Sequence, residues 1–223
     1  MRIIGRWVIR AVAILLFALA VLIGLWAVLP PASTLMVGRW MTGRPVERIW
    51  LPLDRISPHL RVAVILSEDG QFCRHYGVDW QALGSVLRSA AGPTRGASTV
   101  TMQLVKNLYL WPSRSVLRKA LEIPLALLID LLWSKRRILE VYLNVAEWGD
   151  GEFGAEVAAQ RAFAKSASAL APSEAALLAT VLPNPRVRRA ARPTRGQIVL
   201  SRVILARMER DTTAAACVLT GRG

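Results

Sequence analysis

An uninterrupted apolar segment near the N-terminus constrains this chain more than any other feature of its 223 residues. Residues 11–29, AVAILLFALAVLIGLWAVL, contain no charged side chain. As a helix they would extend about 28 Å, close to the thickness of the hydrocarbon core of a bilayer. The segment is longer than the apolar core of a cleaved signal peptide and ends in Leu29-Pro30-Pro31 instead of a small-x-small site. It therefore predicts an uncleaved, single-pass transmembrane anchor.

The charges that flank the anchor predict its orientation. Arg2, Arg6 and Arg10 precede the apolar segment without any acidic residue, and basic residues in this position favour a cytoplasmic N-terminus. Three further arginines follow the segment closely and weaken this signal. We expect residues 1–10 to be a cytoplasmic tail and the bulk of the protein to lie outside the cytoplasm.

The net charge of +14 and the pI near 11.3 indicate which partners to expect. A chain this basic is attracted to anionic membrane surfaces and to ligands that carry phosphate. Nucleic acid is the other usual partner of a basic protein. Here the basic residues are scattered through helical stretches and are not interleaved with aromatic residues on strands, so we expect no nucleic-acid binding.

The length after the anchor allows one domain with a real core and no second catalytic module. Residues 30–50 are rich in Pro, Gly, Ser and Arg and have no clean period, which predicts a juxtamembrane connector. The globular domain is expected to occupy residues 51–210, and residues 211–223 are expected to form a C-terminal tail.

Apolar residues recur at three- and four-residue spacing from His59 onward, as is typical of amphipathic helices. Continuous runs of β-branched residues are missing, so the sequence predicts an all-α fold. Ser98-Thr99 and Ser173 are expected to cap helices, and Pro124 is expected to kink a helix or to separate two helices. The helices are predicted over residues 59–70, 78–90, 98–110, 114–133, 135–146, 154–164, 173–182 and 196–209.

The two cysteines, Cys73 and Cys217, are far apart and lack the spacing of metal ligands. Two isolated thiols are the commoner arrangement and the one we expect. A single long-range disulfide in an oxidising compartment is the alternative. The two histidines, His59 and His75, are too few and too far apart for a helical zinc motif, so no metal ligands are assigned.

Two adjacent acids, Glu68 and Asp69, close an apolar helix at the start of the segment EDGQFCRHYG. The helix dipole disfavours anions at this end, and adjacent helical side chains project about 100° apart. The two carboxylates must therefore have different tasks. We expect Glu68 to face a cleft and Asp69 to hold the following turn by hydrogen bonds, and a solvated acidic helix end is the simpler alternative.

A second motif, GASTVTMQLVKN, opens a helix with small and hydroxylated residues. Such a helix start exposes backbone N–H groups that bind anions, and polar side chains follow it at spacings of about one turn. A sugar phosphate would suit this arrangement, and a capped amphipathic helix is the alternative. The candidate binding residues of this segment are Gly96, Ser98, Thr99, Gln103, Lys106 and Asn107.

Charged residues recur every four positions in a third motif, RSVLRKALE, at Arg114, Arg118 and Glu122. At that spacing two guanidinium groups and a carboxylate share one helix face, although surface ion pairs have the same pattern and contribute little. A fourth motif, KRRILEVYLN over residues 135–144, predicts a packing helix with charged rims instead of a site.

In this order the four motifs resemble those of the peptidoglycan glycosyltransferase family, and specifically its monofunctional biosynthetic transglycosylases. The segments match E-D-x-x-F-x-x-H-x-G, G-x-S-T-x-T-Q-Q-x-x-K-N, R-K-x-x-E and K-x-x-I-L-E-x-Y-L-N, and the similarity continues to residue 185. The one departure is Met102, where many members carry glutamine, so we assign it no polar contact. No S-x-x-K or K-T-G motif of a transpeptidase occurs, which predicts the single-activity form.

The resemblance implies a lysozyme-like helical domain that polymerises lipid II into linear glycan strands. The domain would lie on the periplasmic or extracellular side of a bacterial inner membrane, where the anchor holds it. The implied partners are lipid II, the growing lipid-linked glycan, the membrane and cell-wall synthesis proteins.

The resemblance also implies roles for individual residues. Glu68 would be the general base, and Lys106 and Arg114 match the positions that stabilise the departing pyrophosphate. Glu122 matches a second essential carboxylate, which would orient the neighbouring Arg118 or Lys119 of the third motif. Its other implied task is to help bind a divalent cation, Mg²⁺ or Mn²⁺, at the pyrophosphate.

Two alternatives stay open on the sequence alone. A membrane-bound muramidase or lytic transglycosylase would also be an all-α domain with a catalytic glutamate, but it would fragment glycan and would need no cations for a pyrophosphate. A basic scaffold that tethers wall-synthesis partners would have no activity of its own. For the enzyme, we also expect an apolar, arginine-fringed surface drawn from residues 36–52 to dip into the outer leaflet.

Overall fold

The N-terminal part of the chain is a long apolar helix. A computed structural model of the protein describes residues 2–88, 98–113, 115–211 and 213–219. The chain forms two compact units, Met1–Pro31 and Ala32–Gly223. The first unit contains helix α1, Arg2–Trp26. The Gly5–Trp26 part of α1 has a mean hydropathy of 2.8 and is long and apolar enough to cross a membrane, as a single-pass anchor must be.

The second unit is mainly helical, which confirms the predicted all-α class. Every helix predicted from the spacing of apolar residues is present, with its ends within a few residues of the expected positions. The helices of this unit within the described residues are α2 (Thr34–Met41), α3 (Pro58–Glu68), α4 (Trp80–Arg88), α5 (Val100–Tyr109), α6 (Val116–Leu132), α7 (Lys135–Val145), α8 (Ala155–Phe163), α9 (Pro172–Ala179), α10 (Arg195–Arg210) and α11 (Ala216–Leu219).

A small three-stranded sheet accompanies the helices. Its strands are β1 (Glu47–Arg48), β2 (Glu147–Gly149) and β3 (Glu152–Phe153), in the order β1-β3-β2. Strand β1 lies parallel to β3, and β2 lies antiparallel to it. Strands of two or three residues are too short to produce a visible alternation of apolar and polar side chains, which explains why the sequence pattern did not indicate them.

Residues 30–50, predicted to be a connector, belong in large part to the folded second unit. Ser33 caps α2 by accepting a hydrogen bond from the backbone nitrogen of Met36 at 3.2 Å, and Met36 is fully buried. The hydroxyl of Thr34 donates to the carbonyl of Leu110 at 2.7 Å. These contacts join residues that are distant in sequence, so a search for local periodicity could not reveal them.

Cys73 and Cys217 form a disulfide, so the prediction of two isolated thiols is wrong. Their Cα atoms lie 5.7 Å apart although 144 residues separate them in sequence, and this distance suits a disulfide. Helix α11 brings Cys217 to the bridge, because the carbonyl of Val218 accepts hydrogen bonds from Arg61 and Arg136 at 3.2 and 2.8 Å. The predicted C-terminal tail therefore contains a packed helix.

One helix boundary differs from the prediction, and at Pro124 one of the two expected outcomes is excluded. Ser173 does not cap α9, because Pro172 already occupies the first turn, where its missing N–H is not needed. The side chain of Glu174 instead accepts a hydrogen bond from the backbone nitrogen of Ala171 at 2.9 Å. Helix α6 runs through Pro124 as one element and is not divided there into two helices.

Helix α3 occupies the core of the unit. It packs against α9 and α10, while α5 packs against both α6 and α7. Ala63, Val64 and Ile65 on α3 are fully buried, because this apolar stretch has protein on several sides. The packing brings the C-terminal end of α3, with its two acidic residues, next to α5.

Candidate active site

Asp69 holds the turn that follows α3, as predicted. Its carboxylate accepts hydrogen bonds from Nε2 of His75 at 2.8 Å and from the backbone nitrogen of Val100 at 2.9 Å. The first bond closes the turn, and the second joins it to the first residue of α5. Asp69 is buried, and its carboxylate stabilises the fold around the site through these hydrogen bonds.

Gly77 closes the same turn against α6. Its φ angle is +73°, and a Cβ atom on this residue would lie 2.4 Å from the carbonyl oxygen of Ala126, so a larger residue would not fit. The carbonyl of Gly77 accepts a hydrogen bond from the hydroxyl of Thr99 at 2.6 Å. That hydroxyl also accepts from the backbone nitrogen of Met102 and so caps α5, as predicted. The hydroxyl of Thr99 therefore makes its hydrogen bonds within the protein and stabilises the fold.

Glu68 lies beside a cavity of about 580 Å³. Its Oε2 atom accepts a hydrogen bond from Nε2 of Gln103 at 3.0 Å, and Oε1 accepts one from the Ser67 hydroxyl at 3.3 Å. Burial raises the pKa of Glu68 above its ordinary value of 4.5, and these two hydrogen bonds partly oppose the rise. The charges of Arg188 and Lys106 also lower this pKa. A partly desolvated carboxylate of this kind is suited to accept a proton.

Tyr142 on α7 orients the amide of Gln103. Its hydroxyl donates to Oε1 of Gln103 at 2.9 Å, which leaves the amide nitrogen to face Glu68. Tyr142 is only 1% exposed, and burial raises its pKa far above the ordinary value, so the hydroxyl keeps its proton. The sequence pattern of this segment predicted packing, which the burial of Ile138 and Leu139 confirms, but it did not indicate the contact of Tyr142 with Gln103.

Lys106, Arg118 and Lys119 form a cationic cluster, and Lys106 is the member whose charge lowers the pKa of Glu68. Burial lowers the pKa of Lys106, the charge of Arg118 lowers it further, and the charge of Glu68 raises it. Burial, followed by the charges of Arg118 and Lys106, lowers the pKa of Lys119 to about 8. Like charges held this close repel one another, so an anion bound among them would be strongly favoured.

Glu122 is the counter-charge within the cationic cluster and is 2% exposed. Its Oε1 accepts a hydrogen bond from Arg118, and its Oε2 accepts one from Nζ of Lys119 at 3.0 Å. Nζ of Lys119 also donates to the hydroxyl of Ser98 at 2.7 Å, which connects α6 to the segment before α5. These contacts orient both cations, which is one of the two tasks that the resemblance implies for this carboxylate.

The side chains present do not form a cage for Mg²⁺ or Mn²⁺. Both carboxylate oxygens of Glu122 are engaged by cationic side chains, whereas a metal ion requires free oxygen ligands. Across the described part of the chain, no group of three or more His, Cys, Asp and Glu side chains is placed to hold a metal ion.

The remaining candidates of the sequence analysis divide into two groups. Gly96 and Arg114 lie outside the described residues. Asn107 lies on α5, and its backbone carbonyl accepts a hydrogen bond from the Thr34 hydroxyl at 3.2 Å. This bond connects α5 to α2 and uses only the backbone of Asn107. The half-buried side chain of Asn107 therefore stays a candidate for substrate binding, on the same helix as Lys106.

Arg188 contributes positive potential at Glu68 although it lies in none of the motifs. Its guanidinium group donates to the carbonyl of Thr180 at 2.9 Å. The hydroxyl of Thr180 accepts a hydrogen bond from Gln197 at 3.3 Å, so the loop after α9 is fixed against α10. In the sequence, the only feature that could have pointed to Arg188 is the basic character of the loop after α9. That feature does not distinguish Arg188 from the other arginines of the loop.

Comparisons with known proteins agree with this geometry. Residues 36–209 match the family model described as Transglycosylase. The chain is 54% identical over 181 residues to the biosynthetic peptidoglycan transglycosylase of Rhodopseudomonas palustris (strain HaA2), which covers 79% of this chain and 80% of that protein. It is 51% identical over 218 residues to the protein of the same name from Rhodospirillum centenum (strain ATCC 51521 / SW), over 95% and 93% of the two chains. The chain therefore belongs to the transglycosylase family.

Proposed function

We propose that this protein polymerises lipid II into linear glycan strands of peptidoglycan and releases polyprenyl pyrophosphate, with Glu68 as the general base. The observation that carries the proposal is the position of Glu68. Its partly desolvated carboxylate lies beside a large cavity, and the half-buried Lys106 acts on it with its positive charge. A base and a set of cations side by side suit a reaction that removes a proton and expels an anion.

In the proposed reaction, Glu68 takes the proton from the 4-hydroxyl of the acceptor sugar as that oxygen attacks the anomeric carbon of the donor. The new glycosidic bond forms while the bond from the anomeric carbon to the pyrophosphate breaks, and the electron pair leaves with the pyrophosphate. The cationic cluster stabilises the negative charge that accumulates on this leaving group. Gln103, oriented by Tyr142, holds the carboxylate of Glu68 in place.

The other charged residues have supporting roles in this proposal. Glu122 keeps Arg118 and Lys119 in position through its two carboxylate oxygens. Arg114 precedes α6, the helix that carries these residues, and by resemblance adds a further positive charge at the pyrophosphate. Ser98 accepts a hydrogen bond from Lys119 and lines the cavity, and we propose that both Ser98 and Asn107 contact the substrate.

We place the catalytic unit on the periplasmic side of the inner membrane. The arginines before the apolar segment favour a cytoplasmic N-terminus, and the disulfide supports an oxidising compartment. The anchor confines the enzyme to the plane in which lipid-linked donor and acceptor diffuse, which raises their effective concentration. On α2, Trp40 is 54% exposed and Met41 is 83% exposed, with Arg44 nearby in sequence, and this surface suits contact with the outer leaflet.

A lytic enzyme is the main alternative, and the cationic cluster favours the polymerase because cleavage of glycan releases no pyrophosphate. The test incubates the purified protein separately with labelled lipid II and with finished cell-wall sacculi. We expect chain growth from lipid II and no release of soluble fragments from sacculi. The reverse result would establish a lytic enzyme. No turnover of either substrate would favour a scaffold that recruits cell-wall synthesis proteins.

A further inference from the structure

The cavity beside Glu68 also reaches the last turn of α10. Its walls include the turn after α3, helix α4 and the residues that precede α5. Its volume of about 580 Å³ lies within the range of sites that bind small molecules, about 300–1,000 Å³. The roles proposed above use only the part of the cavity at Glu68 and Ser98. They leave unexplained Arg207 and Arg210, which line the same cavity from α10.

The positive charges of Arg207 and Arg210 are available to bind an anionic group of a ligand. They are three positions apart, so their side chains lie on the same side of α10. Neither is paired with a carboxylate among the residues that the structure describes. Basic residues in the last turn of a helix also interact favourably with its dipole, but that interaction does not require them to line a cavity next to a catalytic carboxylate.

Besides Glu68 and Asp69, two further acidic residues line the cavity together with these arginines, and both are engaged by backbone groups. Oδ1 of Asp79 accepts a hydrogen bond from the nitrogen of Ala82 at 2.9 Å, and Oδ1 of Asp211 accepts one from the nitrogen of Ala214 at 3.0 Å. Their negative charge disfavours a compact dianion such as a pyrophosphate. A ligand that carries separate carboxylate and ammonium groups suits this mixed lining better, because each charge finds an opposite partner.

We propose that this cavity binds the peptide stem of lipid II, with the carboxylate groups of the peptide on Arg207 and Arg210. The inference rests on the proposed function, because it assigns the peptide to the acceptor whose 4-hydroxyl lies at Glu68. The peptide is attached to the sugar next to the reacting one, so a cavity that adjoins Glu68 is within its reach. Arginine is suited to this task because its guanidinium group binds a carboxylate through two parallel hydrogen bonds.

The test compares two double variants of the full-length protein. R207Q/R210Q removes both arginines from the cavity. R195Q/R202Q removes the same charge from the same helix at positions that are not among the described residues lining the cavity. Each protein is assayed with lipid II that carries the native peptide and with lipid II whose peptide carboxylates are converted to amides. Initial rates of polymerisation then give KM and kcat for each pair.

We expect R207Q/R210Q to raise KM for native lipid II about tenfold with kcat unchanged, the size expected for lost hydrogen bonds to a charged group. The control variant should match wild type. With the amidated substrate, R207Q/R210Q and wild type should have the same KM, because the group that the arginines bind is gone. If R207Q/R210Q has a lower unfolding temperature, R207K/R210K, which keeps the charge, should recover part of the affinity for native lipid II.

Two results would overturn this inference and leave the proposed function intact. One is an unchanged KM of R207Q/R210Q for native lipid II. The other is an equal rise in KM for native and amidated substrates, because the arginines would then bind the pyrophosphate or the sugars. Failure of wild type and control to polymerise either substrate would refute the proposed function itself, and the inference with it.

Discussion

Gln103 donates a hydrogen bond from its amide nitrogen to Oε2 of Glu68 at 3.0 Å. Because Tyr142 donates to the oxygen of the same amide at 2.9 Å, the amide is held with its nitrogen toward the carboxylate. Burial raises the pKa of Glu68, and the hydrogen bond from Gln103 lowers it. The protonation of the proposed base therefore depends on a residue of α7 whose hydroxyl is bonded to Gln103.

Replacing Glu68 with glutamine should abolish polymerisation of labelled lipid II, since a general base typically contributes about 10²–10⁴-fold to the rate. The fold should persist. A carboxyl group whose pKa is raised in the folded state stabilises the protein below its unfolded pKa and loses that contribution as pH rises. At neutral pH, E68Q should therefore unfold at a temperature no lower than wild type. Turnover close to that of wild type would refute the role of Glu68.

Replacing Tyr142 with phenylalanine should move the acidic limb of the pH–rate profile to higher pH. Without the hydroxyl, the Gln103 amide is free to turn, the carboxylate loses a stabilising hydrogen bond, and the pKa of Glu68 rises. The loss of kcat/KM should be several-fold on the acidic limb, about the effect of one hydrogen bond, and smaller at pH values above that limb. Y76F removes a hydroxyl from an 80% exposed tyrosine and should leave the profile in place. A loss of equal size at every pH would argue against this positioning role.

From the cationic cluster we also expect an alkaline limb in the pH–rate profile. The pKa of Lys119 is lowered to about 8, so the free enzyme loses this charge as pH rises above that value, and kcat/KM should fall. Bound pyrophosphate stabilises the protonated amine, so kcat should fall only at higher pH. K119R should move the limb of kcat/KM upward, because arginine stays protonated. K165R, at a position 47% exposed, is the matched control. A limb that stays near pH 8 in K119R would assign it to another group.

Lys106→Ala and Arg114→Ala should each weaken use of the donor. Both changes remove a positive charge from the proposed pyrophosphate site, so the rate should fall most at limiting donor. The measurement is the initial rate of polymerisation as the concentration of labelled donor is varied. The same substitution at Lys165, which pairs with Glu174 on the surface, controls for net charge. Unchanged rates at limiting donor in either variant would contradict the assignment of that residue.

Loss of the disulfide should lower the free energy of unfolding by about 2–5 kcal/mol, the range for native disulfides in small exported domains. The bridge spans 144 residues, and its release would free the unfolded chain and also remove the covalent link between α11 and the turn next to Glu68. Denaturant titrations of the wild type with and without a thiol reductant measure the effect. C73S/C217S should unfold at the same low denaturant concentration in both conditions. A wild type whose stability does not respond to reduction would contradict this prediction.

Local patterns were sufficient for most of the secondary structure and for the family. Helices such as α3 and α7 have apolar faces that repeat every three or four residues, and this period is visible without any knowledge of the fold. Glu68 and the residues of the cationic cluster lie in sequence motifs, so they too could be selected as candidates. Helix α11 and strand β1 were missed because elements of two to four residues are too short to show a period.

The sequence by itself determined the apolar N-terminal helix, most of the other helices and most of the candidate residues, because each depends on residues that are close along the chain. Only the tertiary structure decided which of these residues meet. The disulfide of Cys73 with Cys217 and the contact of Tyr142 with Gln103 join segments that are 144 and 39 residues apart. Such contacts depend on how the helices pack as a whole, and packing leaves no periodic signal in the sequence of either partner.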